Sequence, residues 1–176
     1  MDDLRSLFEF MRRSDCDCGS NGTMAARDGD GWVDCGCGGK HWGKFGAAGL
    51  LLLRGSTVLL QHRAPWVHNG DTWGIPGGAR DSHESFLEAA LREAHEEVGI
   101  TAEEISVQSE SCEEHGLWSY HTIIARASVQ CDPIAANQES IEVRWVEHEK
   151  VVALPLHPAF ARNWGGLHQL IKDLAE

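Results

Sequence analysis

The stretch from Gly78 to Ile100, GARDSHESFLEAALREAHEEVGI, constrains this chain more than any other. Leu87, Ala90, Leu91, Ala94 and Val98 recur at helical spacing and form one apolar stripe, so the segment predicts a helix over Ser82 to Val98. Asp81 or Ser82 supplies its N-cap, and Gly99 stops it. On this helix Glu93, Glu96 and Glu97 fall within an arc of about 100° beside the apolar stripe. Three carboxylates so placed repel one another unless cations neutralise them, and a cluster of oxygen donors with room for water suits Mg²⁺ or Mn²⁺. The competing reading of such a run is an acidic face turned to solvent.

A helix with one buried stripe needs a sheet to cover. The apolar runs Ala47 to Leu53 and Thr57 to Arg63, split by Arg54-Gly55-Ser56, predict a β-hairpin. Residues 64–81 hold Pro65, Pro76 and four glycines, Gly70, Gly74, Gly77 and Gly78, so they predict a long structured loop with a short strand near Trp73. Strand character returns at Glu104 to Glu110, His121 to Val129 and Ile141 to Val146. Pro158 to Ala175 predicts a closing helix. This order of elements indicates an α+β fold, an α/β/α sandwich around a mixed sheet. The longest apolar run, Gly46 to Leu53, is far short of the roughly 20 residues of a membrane helix. The acidic N-terminus is unlike a secretory signal, so a cytoplasmic protein without a membrane partner is expected. A net charge of −12 with no basic cluster beyond Arg12-Arg13 argues against a nucleic-acid polymer as partner. Small phosphorylated ligands remain open to it through bridging cations.

The spacing G-x5-E-x7-R-E-A-x-E-E-x-G-I from Gly78 to Ile100 resembles the Nudix box at every fixed position. The resemblance extends to Val58 to Arg63 and Trp73 to Gly78 before the box and to Glu139 to Trp145 beyond it, covering residues 44–176 as a Nudix domain. It implies a Nudix fold and Mg²⁺- or Mn²⁺-dependent hydrolysis of a nucleoside diphosphate linked to another moiety. The MutT-like (deoxy)nucleoside triphosphate pyrophosphohydrolases are the default class. ADP-ribose or NADH-type dinucleotide pyrophosphatases, or a nucleotide-sensing module that does not cleave, are the alternatives, and a homodimer stays open. Neither the proline of the ADP-ribose class near Glu114 to Gly116 nor a Pro-Trp-Pro core near Gly116 to Tyr120 is present. The intact box favours an enzyme over a sensor.

Carried over by residue, the resemblance implies metal ligands at Glu93, Glu96 and Glu97, with a backbone carbonyl near Gly78. Arg92 orients the carboxylates, and Glu84 fixes the junction of loop and helix. The general base is a box glutamate or one from a later loop, Glu139 ahead of Glu142. Arg63 either contacts substrate phosphate or forms a surface salt bridge. Trp73 stacks on substrate or covers the box helix, and His157 is open between a base-binding and a structural role.

Residues 1–43 lie outside the common domain. Leu4, Leu7, Phe8 and Met11 predict a short amphipathic helix over 1–15, and residues 16–40 show neither helical nor strand periodicity, which predicts an irregular knob. This knob holds two C-x-C-G half-sites, Cys16-Asp-Cys18 and Cys35-Gly-Cys37. They are similar to the knuckles of the zinc ribbon that precedes the NADH pyrophosphatase domain, with C-x-C where C-x2-C is usual. One structural Zn²⁺ on Cys16, Cys18, Cys35 and Cys37, with His41 as a spare ligand, competes with reduced thiols and with disulfides. Cys112 and Cys131 read as isolated packing cysteines.

Overall fold

The computed structural model describes residues 27–175; the helix expected over 1–15, and Cys16 and Cys18, lie outside them. A small hairpin of β1 (Trp32–Asp34) and β2 (Lys40–Trp42) comes first. The main sheet then takes β3 (Ala47–Arg54), β4 (Thr57–Arg63), β5 (Trp73–Gly74), β6 (Gly77–Ala79), β7 (Ile105–His115), β8 (Trp118–Ala127) and β9 (Ser140–Glu147). Helix α1 (Phe86–Val98) and helix α2 (Pro158–Asp173) complete the fold.

The main sheet runs β5-β4-β3-β8-β7, with β6 added to β3 and β9 to β4. Only the β3–β8 pair is parallel, so the sheet is mixed. Strand alternation divides its side chains between two layers. Leu50, Leu52 and Leu59 pack under α1 with Ala89, Ala90, Ala94 and Val98, whereas Leu51, Leu53 and Leu60 pack under α2 with Phe160, Trp164, Leu167 and Ile171. Leu50, Leu51, Leu52, Leu59 and Leu60 have no exposed surface, each burial stabilising the fold by about 2 kcal/mol. The expected α/β/α sandwich is the observed one. No helix among the described residues is long and apolar enough to cross a membrane.

Three local readings need correction. Helix α1 begins at Phe86 and not at Ser82, because Ser85 and Glu88 form a reciprocal capping box: Ser85 Oγ accepts from Glu88 N at 3.2 Å and Glu88 Oε2 accepts from Ser85 N at 2.7 Å. Gly99, at φ 73°, does end it. The knob is not irregular throughout, since β1 and β2 pair through Trp32↔Trp42 and Asp34↔Lys40; an isolated hairpin of three-residue strands leaves almost no periodic signal. The β7–β8 hairpin is longer than its apolar residues suggest, running to a tight turn at Gly116 and Leu117 with Gly116 at φ 71°. Its polar strand β7 is an edge, where charges at Glu110, Glu113 and Glu114 are tolerated and discourage further pairing.

Candidate active site

Small residues bring α1 close over the start of β3. Ala89, Ala90 and Ala94 face the sheet with methyl groups alone, and Gly77 and Gly78 pair with Gly49 and Ala48. A Cβ on Gly77 would lie 2.4 Å from the Ala48 carbonyl oxygen, and one on Gly78 would lie 2.6 Å from the Glu93 carboxylate carbon. The backbone at Gly78 therefore rests directly on the Glu93 carboxylate, which glycine alone permits.

Glu93 and Glu97 are 7% and 3% exposed, and Glu96 is half-buried at the rim. Each buried carboxylate is gripped by one oxygen. Glu97 Oε2 accepts from Gln61 Nε2 at 3.1 Å and from Gly77 N at 2.9 Å. Glu93 Oε1 accepts from Arg92 Nη1 at 2.6 Å and from Arg27 Nη1 at 3.4 Å. Among the described residues no hydrogen bond reaches Glu97 Oε1 or Glu93 Oε2. Burial pushes the Glu97 carboxyl up to about 8, reinforced by the neighbouring Glu93 charge and opposed by the Gly77 amide. Burial also raises Glu93, against the pull of Arg92. An ion-free cluster thus resists full ionisation, and its donor set of carboxylate oxygens is what a hard divalent cation takes.

Arg92 is the joint of the site. Its Nε and Nη2 grip both oxygens of Glu84 at 2.6 and 2.9 Å, its Nη1 holds Glu93, and Nη2 also donates to the Ala79 carbonyl at 2.9 Å. Burial works against its charge, but the bonds to Glu84 and Glu93 raise its pKa further. Burial would likewise raise Glu84, yet the Arg92 fork holds that carboxyl below its ordinary value. Glu84 precedes the helix and also accepts from Asp81 N at 3.0 Å, closing the turn between β6 and α1.

The later glutamates separate clearly. Glu139 is exposed at the entry to β9, its carbonyl accepting from Ala64 N at 2.7 Å, and its charge is among those raising Glu97. Glu142 lies within β9 opposite His62 and is taken by Arg144 at 2.6 and 2.9 Å. Arg63 forms no ion pair among the described residues. Its Nη2 donates to the His68 carbonyl at 3.2 Å, its buried Nε has no partner there, and its charge acts on Glu97 and Tyr120. Trp73 is 5% exposed in the α2-side core and stacks on His62, which assigns it to packing. His157 caps α2, accepting from Ala159 N at 3.3 Å, and burial pulls its pKa down to about 4.

Four features of the site were not anticipated from sequence. Gln61 is the one buried polar residue of β4, directly after the apolar run Val58-Leu-Leu60. Ser140 Oγ donates to Gln61 Oε1 at 2.7 Å, so Ser140, Gln61 and Glu97 form a buried chain. Arg27 pairs with Glu96 and Glu93 from outside the domain. Finally, a cleft of about 340 Å³ between β7, β8 and α2 is lined by Ser111, Glu113, Tyr120, Thr122, Arg162 and Asn163. Tyr120 lines this cleft; burial raises its hydroxyl pKa, and the charges of Glu97 and Glu93 add to that shift.

The cysteines divide. Cys35 and Cys37 come together with His41 in the β1–β2 turn, Cys131 is buried as expected, and Cys112 is not a packing residue but is exposed on β7, 3.3 Å from His121 Nε2. No disulfide joins the described cysteines.

The family model of the NUDIX domain matches residues 43–165. A Mycobacterium tuberculosis protein named "Putative 8-oxo-dGTP diphosphatase 3" is 48% identical over 148 residues, 78% of this chain and 68% of that one. A "Nucleoside triphosphate pyrophosphatase/Nudix hydrolase fusion protein" of Bifidobacterium longum is 44% identical over 156 residues, 84% of this chain and 32% of the fusion. Among solved structures, the Nudix hydrolase RenU of M. smegmatis superposes with a TM-score of 0.75 at 46% identity, over 82% of this chain and 96% of that one. An Ap4A hydrolase of C. elegans, 22% identical with a TM-score of 0.60 over 72% and 98% of the two chains, shares the fold. With the box whole and the match spanning most of its length, the chain belongs to the Nudix family.

Proposed function

We propose that the protein hydrolyses (deoxy)nucleoside triphosphates to the nucleoside monophosphate and pyrophosphate, with an oxidised purine nucleotide such as 8-oxo-dGTP as the first substrate to test. The M. tuberculosis relative carries that substrate in its name. The observation that carries the reading is the pair of buried carboxylates, each held by one oxygen, with Glu93 packed against the Gly78 backbone and Glu97 bound by Gly77 N. Glu93, Glu96, Glu97 and the carbonyl near Gly78 would hold Mg²⁺ or Mn²⁺. A cation held by these residues would supply charge to neutralise the polyphosphate and to lower the pKa of the attacking water.

The remaining roles belong to the side chains. Arg92 keeps Glu93 aimed by pairing it from one side while anchoring itself on Glu84. Glu139, exposed at the strand entry and close enough for its charge to act on Glu97, takes the proton from water as general base. Arg63, with no carboxylate partner among the described residues, attracts substrate phosphate. The cleft beside Tyr120 receives the nucleoside, where Asn163 and Ser111 offer hydrogen bonds to a base.

A panel of 8-oxo-dGTP, dGTP, ADP-ribose, NADH and dinucleoside polyphosphates, assayed with Mg²⁺, tests the substrate. Nucleoside triphosphates are expected to give the highest kcat/KM; preference for ADP-ribose or NADH would move the chain to another class. Glu97→Gln and Glu93→Gln should each lower kcat by about 100-fold or more with an unchanged circular dichroism spectrum. Near-normal kcat in both at saturating Mg²⁺ would refute the metal assignment.

A further inference from the structure

The turn joining β1 to β2 reads Cys35-Gly-Cys37-Gly-Gly-Lys-His41. Cys35 N donates to the Gly39 carbonyl and Gly38 N to the Cys35 carbonyl, both at 2.9 Å, and Gly38 sits at φ +85°. This tight closure turns both thiols to one side. His41, on the strand that leaves the turn, points back to them, with its Nε2 3.2 Å from Cys37 Sγ. The ligand atoms of Cys35, Cys37 and His41 all lie within 4.8 Å of one another. Tetrahedral zinc, with bonds of about 2.3 Å to sulfur and about 2.0 Å to nitrogen, needs its ligand atoms about 3.5–3.8 Å apart. Small side-chain rotations reach that spacing.

The group does not stand alone. It rests on the tip of the β7–β8 hairpin: Cys35 Sγ lies 2.9 Å from the His115 carbonyl oxygen, and the His41 ring stacks on Trp118 at 4.2 Å with 12° between planes. The His115 ring lies 4.6 Å from that of His41. His115 Nε2 pairs with Glu113 Oε1 at 2.8 Å, which leaves Nδ1 as the nitrogen with an available lone pair. A carboxylate behind a histidine ring is how metal-bound imidazoles are oriented.

The geometry points to a second metal centre, apart from the carboxylate cluster, in which Cys35, Cys37 and His41 bind Zn²⁺ and His115 closes the tetrahedron. Two thiolates and two imidazoles form a closed set for a borderline-soft cation and a poor one for Mg²⁺. The site takes three ligands from the N-terminal hairpin and one from the Nudix domain, so the metal is a clip between them. It differs from a four-cysteine ribbon in needing neither Cys16 nor Cys18. It also fixes the base of the segment from which Arg27 reaches Glu96 and Glu93.

The test is metal content and cobalt spectroscopy on the full chain. Protein purified without chelator should carry about one zinc, and Co²⁺ replacement should give the intense visible bands of a tetrahedral site with thiolate charge transfer. Cys35→Ser with Cys37→Ser, and separately His41→Ala, should abolish both signals; His115→Ala should weaken zinc at least 10-fold and alter the cobalt bands. Cys16→Ser with Cys18→Ser should change neither, and Glu93→Gln with Glu97→Gln should retain zinc, which separates this centre from the hydrolytic one. Wild-type protein that takes up no zinc or cobalt overturns the proposal. So does loss of metal in the Cys16, Cys18 variant with retention in His115→Ala, the signature of a four-cysteine site.

Discussion

The side-chain amide of Gln61, 1% exposed in the middle of β4, donates to Glu97 Oε2 across 3.1 Å, while its own oxygen accepts from the Ser140 hydroxyl at 2.7 Å. A central strand thereby sets the rotamer of a box glutamate 36 residues away. Gly77 N binds the same oxygen, so the carboxylate is held through Oε2, and no hydrogen bond among the described residues engages Oε1.

Gln61→Leu removes that grip and leaves Ser140 without its acceptor. The expected result is a fall in kcat or in apparent Mg²⁺ affinity of about 10- to 100-fold, as for other residues that orient metal ligands. Gln61→Glu, which adds a buried like charge, should be worse. Steady-state kinetics over a Mg²⁺ titration checks both; unaltered metal dependence in Gln61→Leu would remove Gln61 from the site.

Glu139 and Glu142 are three residues apart and differ in environment. Glu139→Gln should lower kcat by about 100-fold, the usual worth of a general base, and Glu142→Gln by less than about 3-fold, because Arg144 already occupies that carboxylate. The reverse ranking in single-turnover assays would transfer the role to Glu142.

Gly78→Ala would place a methyl 2.6 Å from the Glu93 carboxylate carbon. Either the carboxylate or the loop must shift. Activity should drop about 10-fold or more, with a stability loss of about 1–3 kcal/mol by chemical denaturation.

In chelator, the pH dependence of stability should carry the mark of Glu97. Its folded pKa, about 8, lies above the unfolded value near 4.3. Across that window the folded chain keeps a proton that the unfolded chain has released, so stability falls as pH rises, by at most about 1.4 kcal/mol per unit. His157 acts oppositely: with a folded pKa of about 4, it costs stability as pH falls below about 6.5. Between pH 6.5 and 8 the exposed Cys37 thiol, drawn down to about 6 by its contact with His41, acts against Glu97, so the Glu97 effect is read as the difference between the wild type and Glu97→Gln. Thermal melts should show the wild-type Tm falling by several degrees relative to that of Glu97→Gln across that range. Parallel Tm profiles of the wild type and Glu97→Gln in chelator would contradict the buried, proton-holding carboxyl.

What the sequence determined by itself is everything carried by local periodicity and spacing. The stripe of Leu87, Ala90, Leu91, Ala94 and Val98 had to pack on a sheet, the runs around Leu50 and Leu59 had to be its centre, and Glu93, Glu96 and Glu97 had to share one helix face. The start of α1 is not legible from sequence, because Asp81, Ser82 and Ser85 are all residues that cap helices; the Ser85–Glu88 pair closes both bonds and brings the start to Phe86, four residues after Ser82. Tertiary structure decided which distant groups meet. The parallel β3–β8 pairing brings Tyr120 beside Ala47, and the irregularity between His62 and Arg63 places Glu139 at the strand entry while Glu142 stays in the ladder. Gln61, Arg27 and the approach of His115 to Cys35 depend on contacts across 36 to 80 residues. Such contacts are set by strand order and register, which the pleat of one segment cannot encode, because every strand alternates in the same way whichever neighbour it meets.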